Sequence, residues 1–244
     1  MGPEQIAIVV AGALAGGIVN GLTGFGTALT AVGIWLWAIS PAAATTLVLI
    51  SSVVSQLQTL PMIWASIRWP RVLPFIVPGV LGVPLGTYLL PHVEPQTFKI
   101  GVGIFLIVYS VYALALRVPL NAAWGGKVAD GAIGFVSGVL GALTGFSGIL
   151  PAVWTDVRGW FKDQRRGVLQ SFNLTILALA LTSHALAGLV TRQVLLLAAV
   201  TLPGTMLGAW LGAFVYRRLS DHDYQRAVMA LLFVSGVSLL WSAL

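Results

Sequence analysis

The 244-residue chain has no cysteine, only seven acidic residues and a charged fraction of just 8%. Without cysteine there is no disulfide, no thiolate metal ligand and no catalytic thiol. The scarcity of charge excludes more. With 58% of its residues hydrophobic and a mean hydropathy of +0.95, the chain has more apolar surface than a soluble core of this length can bury, and it reads as an integral membrane protein. The acidic residues Glu4, Glu94, Asp130, Asp156, Asp163, Asp221 and Asp223 all fall near segment ends, which argues against a carboxylate proton relay at the membrane centre. Polar intervals of at most about a dozen residues leave no room for a large soluble domain. Met1 to Gln5 hold Glu4 and no Lys or Arg, unlike the basic start of a secretory signal, so the first apolar run is expected to belong to the mature fold.

What is present is a series of long apolar stretches between short charged loops, which favours helices over a barrel and makes the fold all-α. The 13 basic residues are scattered through those loops, with no basic domain to hold a duplex. The expected environment is therefore the lipid bilayer, with no nucleic-acid partner.

Two stretches are too long for one crossing and are broken by glycines: 6–39, with Gly21-Leu22-Thr23-Gly24-Phe25-Gly26, and 128–160, with Ala142-Leu143-Thr144-Gly145-Phe146-Ser147-Gly148. Each is expected to form two arms of about 15 residues, neither spanning alone. After the first come spans at 42–67, 72–91 and 98–116, then a hinge at 117–127; after the second come spans at 167–190, 194–216 and 224–243. Leu-Thr-Gly-Phe recurs word for word, and Pro78-Gly79 with Gly82 and Gly86 matches Pro203-Gly204 with Gly208 and Gly212. Two local signatures at nearly constant separation indicate a duplication, residues 1–122 and 123–244.

Charge placement decides how the broken stretches run. If each crosses once, the basic residues divide eight against five. If each enters and returns as a hairpin, Arg68, Arg71, Arg117, Lys127, Arg158, Lys162, Arg165, Arg166, Arg217, Arg218 and Arg226 share one side, and only Lys99 and Arg192 lie opposite. The second division is the asymmetry of a cytoplasmic face. Each half then makes three full crossings, so the expected architecture is a polytopic membrane protein of two inverted repeats, each a glycine-broken hairpin plus three transmembrane helices. It is expected in the cell (inner) membrane with both termini outside. Trp64, Trp69, Trp154 and Trp160 fit an interfacial belt.

Broken backbone at membrane depth is tolerated only when it is buried in protein or lines a wet cavity. At such a break the following arm offers free N–H groups and the positive end of its dipole, which favours an anion. Asn20, Thr23, Gly24, Phe25 and Gly26 at the first break and Thr144, Gly145, Phe146 and Ser147 at the second are the candidate binding residues, with Thr27 beside them. Gln170 and Asn173 on segment six, and Ser52 and Gln56 on segment two, add amides and hydroxyls able to hold an anion without a full counter-charge. The same groups also serve as tight-packing glycines, back-bonded hydroxyls and interhelical glue, and both uses stand. His184, expected inside a span on the face of Gln170 and Asn173, is a candidate for proton-linked function. Asp156, Arg158, Lys162, Arg165 and Arg166 are expected as topology anchors at the cytoplasmic mouth, where basic charge would concentrate anions. Asn173-Leu174-Thr175 matches a glycosylation acceptor but lies inside a span and is set aside.

Gly16-Gly17-Ile18-Val19-Asn20-Gly21-Leu22-Thr23-Gly24-Phe25-Gly26, its copy at Gly138 to Gly148, the Pro-Gly signatures, and Arg166 followed by Gln170-Ser171-Phe172-Asn173 together resemble the sulfite exporter TauE/SafE family of permeases, also called DUF81 or TSUP. The resemblance covers nearly the whole chain and rests on the order and doubling of the motifs. It implies transport of small sulfur-containing anions such as sulfite and organosulfonates, often outward, with some members linked to uptake or to carboxylate-type substrates. Phe25 and Phe146 interrupt the family's glycines, and Ser147-Gly148-Ile149-Leu150-Pro151 stands where Gly-Gly-Pro-Pro is common, a departure that bears on the substrate. The expected function is export of such an anion without a cofactor. The alternatives are a permease or channel for another small solute, or a non-transporting membrane subunit. The spans hold no paired aspartates, no His-Glu-x-x-His and no serine with a matched base, so an enzyme is not expected.

Overall fold

A computed structural model describes residues 2–35, 38–89, 95–116 and 125–241. The expected boundary at 122/123, the hinge up to residue 124, Glu94, Arg117 and the last residues of segments three and eight lie outside them. The described residues form ten α-helices and no strand: α1 Pro3–Thr23, α2 Thr27–Trp35, α3 Pro41–Ile63 with a 3-10 turn Trp64–Ser66, α4 Trp69–Leu89, α5 Pro95–Leu116, α6 Gly126–Thr144, α7 Ile149–Val157, α8 Lys162–Leu186, α9 Arg192–Arg218 and α10 Asp221–Trp241. The all-α membrane fold is borne out. By length and composition α1, α3 with its 3-10 turn, α4, α8, α9 and α10 are each long and apolar enough to cross a membrane.

Both glycine-broken stretches fold back on themselves, but their arms are unequal. α1 has 21 residues and α2 nine; α6 has 19 and α7 nine. This corrects the expectation of two short arms, since α1 alone reaches spanning length. The reason is that only some of the glycines break the helix. Gly24 and Gly145 take left-handed φ values of 81° and 77°, a conformation that costs other L-residues ~1–2 kcal/mol, and their N–H groups close the helix end on Asn20 O at 2.7 Å and Gly141 O at 2.9 Å. The earlier glycines stay helical and let neighbours in. A Cβ on Gly12 would lie 2.5 Å from Trp35 Nε1, and one on Gly17 2.4 Å from Thr205 O. The return of each short arm is fixed by its tryptophan: Trp35 Nε1 donates to Val9 O at 2.8 Å, and Trp154 Nε1 donates to Asp130 Oδ1 at 2.7 Å. That second bond buries Trp154, which is therefore not a belt residue, while Trp64 and Trp69 are exposed.

Each long hairpin arm packs on the Pro-Gly helix of the other half. A Cβ on Gly21 of α1 would stand 2.1 Å from Ala209 O of α9, and one on Gly212 of α9 2.0 Å from Ile18 O; for α6 and α4 the corresponding approach is Gly138 at 2.0 Å from Gly79 O. Such backbone contact supplies the van der Waals attraction that holds helices together where lipid offers no hydrophobic drive. α3 and α8 run antiparallel through the centre: Thr46 pairs with His184 Nδ1 at 3.1 Å near one end, and Gln170 Nε2 donates to Thr59 Oγ1 at 2.9 Å towards the other. α5 and α10 meet through Gly103 and Gly236, where a Cβ on Gly236 would lie 2.8 Å from Gly103 O.

Basic residues gather at one end of this bundle. The Arg71 guanidinium lies 5.2 Å and that of Arg158 5.5 Å from the Trp160 ring, Lys162 Nζ lies 5.2 Å from the Tyr216 ring, and Arg158 approaches Asp130 at 3.9 Å. The starts of α4, α6 and α8 and the ends of α7 and α9 therefore share this end.

Candidate functional site between the hairpin tips

The two breaks meet beside the middle of the central helices. Ser52 is the middle residue of the 23 in α3, and Asn173 adjoins the middle of the 25 in α8. A Cβ on Gly148 would lie 2.7 Å from Phe25 Cβ and 2.8 Å from Asn173 Nδ2, and one on Gly145 3.8 Å from Ala28 Cβ. Asn173 joins the tips. Its Nδ2 donates to Gly24 O at 3.3 Å, and its Oδ1 accepts from Ser147 Oγ.

The first tip is satisfied almost carbonyl by carbonyl. Thr23 Oγ1 lies 2.8 Å from Val19 O and 2.6 Å from Phe25 O, Tyr224 Oη donates to Thr23 O at 3.1 Å, and Arg166 Nη1 reaches Leu22 O at 3.5 Å. The Thr23 hydroxyl thus serves its own turn. Asn20 Nδ2 donates to Ser55 Oγ, which ties α1 to α3 and leaves Asn20 Oδ1 without a partner among the described residues.

Beyond the tips, α2 and α7 begin, and the first N–H groups of a helix have no acceptor within it. The space these starts face is lined by Phe25, Gly26, Thr27, Ala28, Leu29, Ser52, Gln56, Gly145, Phe146, Gly148, Ile149, Asn173 and Leu177. No acidic residue is among them. Positive helix ends without a carboxylate favour negative over positive charge in this space. Gln56 Oε1 and Thr27 Oγ1 are buried without hydrogen-bond partners among the described residues. The free volume is about 10 Å³, room for a single water and too little for sulfite.

Of the candidate residues, Phe25, Gly26, Ser52, Gln56, Gly145, Phe146 and Asn173 line this space together. Asn20, Thr23, Gly24 and Ser147 stand just behind it and hold the tips. Thr144 closes α6, and its side chain lies outside the described residues. Gln170 is one turn below Asn173 on α8, where Nε2 donates to Gln56 O and Thr59 Oγ1, each at 2.9 Å. His184 is not in the site. α8 ends at Leu186, so the imidazole occupies its last turn, half-buried against Thr46.

The anchors expected at the mouth are also placed differently. α8 begins at Lys162 and not at residue 167, which carries Arg165 and Arg166 inside the helix bundle at 3% and 0% exposure. Arg165 Nη1 pairs with Asp156 Oδ1 at 2.6 Å, Tyr109 Oη donates to the other oxygen of Asp156 at 2.7 Å, and Lys162 Nζ donates to Leu219 O. A cavity of about 310 Å³ opens beside Arg165 and Lys162, but Asp156 and Asp221 line it as well, so its charge is mixed and not simply basic.

A family model described as "Sulfite exporter TauE/SafE" matches residues 8–239. No curated protein and no solved structure matches the chain.

Proposed function

The chain belongs to the sulfite exporter TauE/SafE family, whose members are membrane transporters of sulfur anions, and from that membership we propose that it exports sulfite or a small organosulfonate, binding the anion between the two hairpin tips. The observation that carries this reading is the convergence of two helix starts on one acid-free space at mid-depth, clamped by Asn173. Ser52, Gln56 and the tip N–H groups supply donors to the anion's oxygens, and the walls of Phe25 and Phe146 suit the carbon part of an organosulfonate. Alternating access follows as the hairpins part towards one side and then the other. No carboxylate relay is needed, because an anion leaving a negative-inside cell gains ~2.3 kcal/mol per charge per 100 mV. The reading takes residues 1–122 and 123–244 as inverted repeats in the inner membrane, with the basic end cytoplasmic and both termini outside. The reciprocal packing of α1 on α9 and α6 on α4, and the antiparallel contact of α3 with α8, support it. The test is efflux from proteoliposomes loaded with sulfite or methanesulfonate under an imposed potential. Negative-inside potential should speed efflux; the reading is wrong if neither anion moves or if the potential has no effect.

A further inference from the structure

Arg166 is the most deeply buried cation among the described residues, with no exposed surface. Arg165 beside it has its carboxylate partner, but no carboxylate among the described residues lies within ion-pair distance of Arg166. Its bonds to Leu22 O and Gln170 Oε1 are both 3.5 Å long, at the far limit for N–H···O contacts, and Nη2 has no hydrogen-bond partner among the described residues. The guanidinium rests 3.9 Å from the Tyr216 ring centroid. Five N–H donors held by two long bonds and a ring face, with the Asp163 carboxylate bonded to the Tyr216 hydroxyl and not to the guanidinium, leave a buried charge poorly compensated. Within a span, such a residue is by default a candidate for a substrate or ion pathway.

Its position says which one. The first tip sits directly on it: a Cβ on Gly24 would lie 3.3 Å from Gln170 Cβ and 3.4 Å from Arg166 Cγ. Gln170 also donates to the backbone of Gln56, whose unpartnered Oε1 belongs to the space between the tips. A polar file therefore runs from that space to Arg166 on the basic-end side. Towards the other end the same two helices meet next at Leu49, Leu177 and Ala180, and the Thr46–His184 pair lies beyond that apolar layer.

We propose that Arg166 is a second anion-binding station, behind the first tip, occupied by the Leu22 carbonyl while the tip is closed and by an oxyanion of the substrate when the tip moves. This rests on the transport reading above. Because the chain has no cysteine, Arg166→Cys offers thiol reagents a single target. Methanesulfonate is the transported probe, since sulfite cleaves disulfides. R166C should lose transport, aminoethyl methanethiosulfonate should restore it by returning a positive charge, and methyl methanethiosulfonate should not. Wild-type transport in R166C, equal rescue by the neutral reagent, or resistance of the thiol to both reagents would overturn the proposal. If R166C does not fold, Gln170→Glu decides, because it sets a carboxylate against the guanidinium. Loss of transport with an undiminished melting temperature supports the station; retained transport shows that the arginine is only structural. A wild-type protein that moves no sulfur anion removes both readings, whereas an active wild type with an equally active R166C removes this one alone.

Discussion

Replacing Asn173 with alanine should loosen the two tips from each other, and its cost can be worked from the bonds it removes. The side chain is 2% exposed, donates to Gly24 O and accepts from Ser147 Oγ. Alanine leaves that carbonyl and that hydroxyl buried without a partner, at ~1–3 kcal/mol each, or about 2–6 kcal/mol for the pair. Alanine's better helix propensity returns at most ~0.7 kcal/mol. At ~2–4 °C per kcal/mol for a chain of this size, the melting temperature in detergent should fall by several degrees at least, read from tryptophan fluorescence. Ser147→Ala removes one of the same bonds, so the double variant should cost less than the sum of the singles, with a coupling of ~0.5–3 kcal/mol. A melting temperature unchanged in N173A, or strict additivity with S147A, would refute the claim that Asn173 joins the tips.

Gly138→Ala should destabilise the protein by ~1–3 kcal/mol or more, because its Cβ would stand 2.0 Å from Gly79 O. Gly101→Ala, with nothing within 4 Å of the new atom, should instead stabilise α5 by ~0.5–1 kcal/mol, and melting curves of the two variants check both signs. Asp156→Asn leaves Arg165 buried without its carboxylate and should cost ~3–5 kcal/mol in the same assay; a loss under about 1 kcal/mol would place this pair among the weak surface bridges.

The hairpins were legible because two properties survive without coordinates: a duplicated Leu-Thr-Gly-Phe and a lopsided distribution of Lys and Arg. Glycine count misled on the arms. A packing glycine such as Gly17 and a breaking glycine such as Gly24 look alike in a sequence, and only the presence of α9 against the first separates them. The lining set was readable at the tips and at Ser52, Gln56 and Asn173, which are polar residues at helical spacing. Leu177 was hidden by being apolar, although it lies one turn beyond Asn173 on the same face. Arg166 was missed because charge near a segment end reads as loop. It packs on Tyr216 and Leu22, both distant in sequence, and the one local signal was its place four residues before Gln170. His184 erred in the opposite direction: helical phase put it on the site's face, but α8 stops two residues later.

The most direct test of the central claim is to lock the tips together. Ala28 Cβ and a Cβ built on Gly145 are 3.8 Å apart, within the ~3.5–4.5 Å that a disulfide spans, and the cysteine-free background makes Ala28→Cys with Gly145→Cys the only pair available. The left-handed φ of 77° at Gly145 adds a strain of ~1–2 kcal/mol, small beside the bond. Methanesulfonate efflux from proteoliposomes is then measured oxidised and reduced. The account predicts that the bond forms on oxidation, that efflux stops, and that a reductant restores it; a bond that does not form, or a cross-linked protein that transports as well as the reduced one, would contradict a site that opens between the tips.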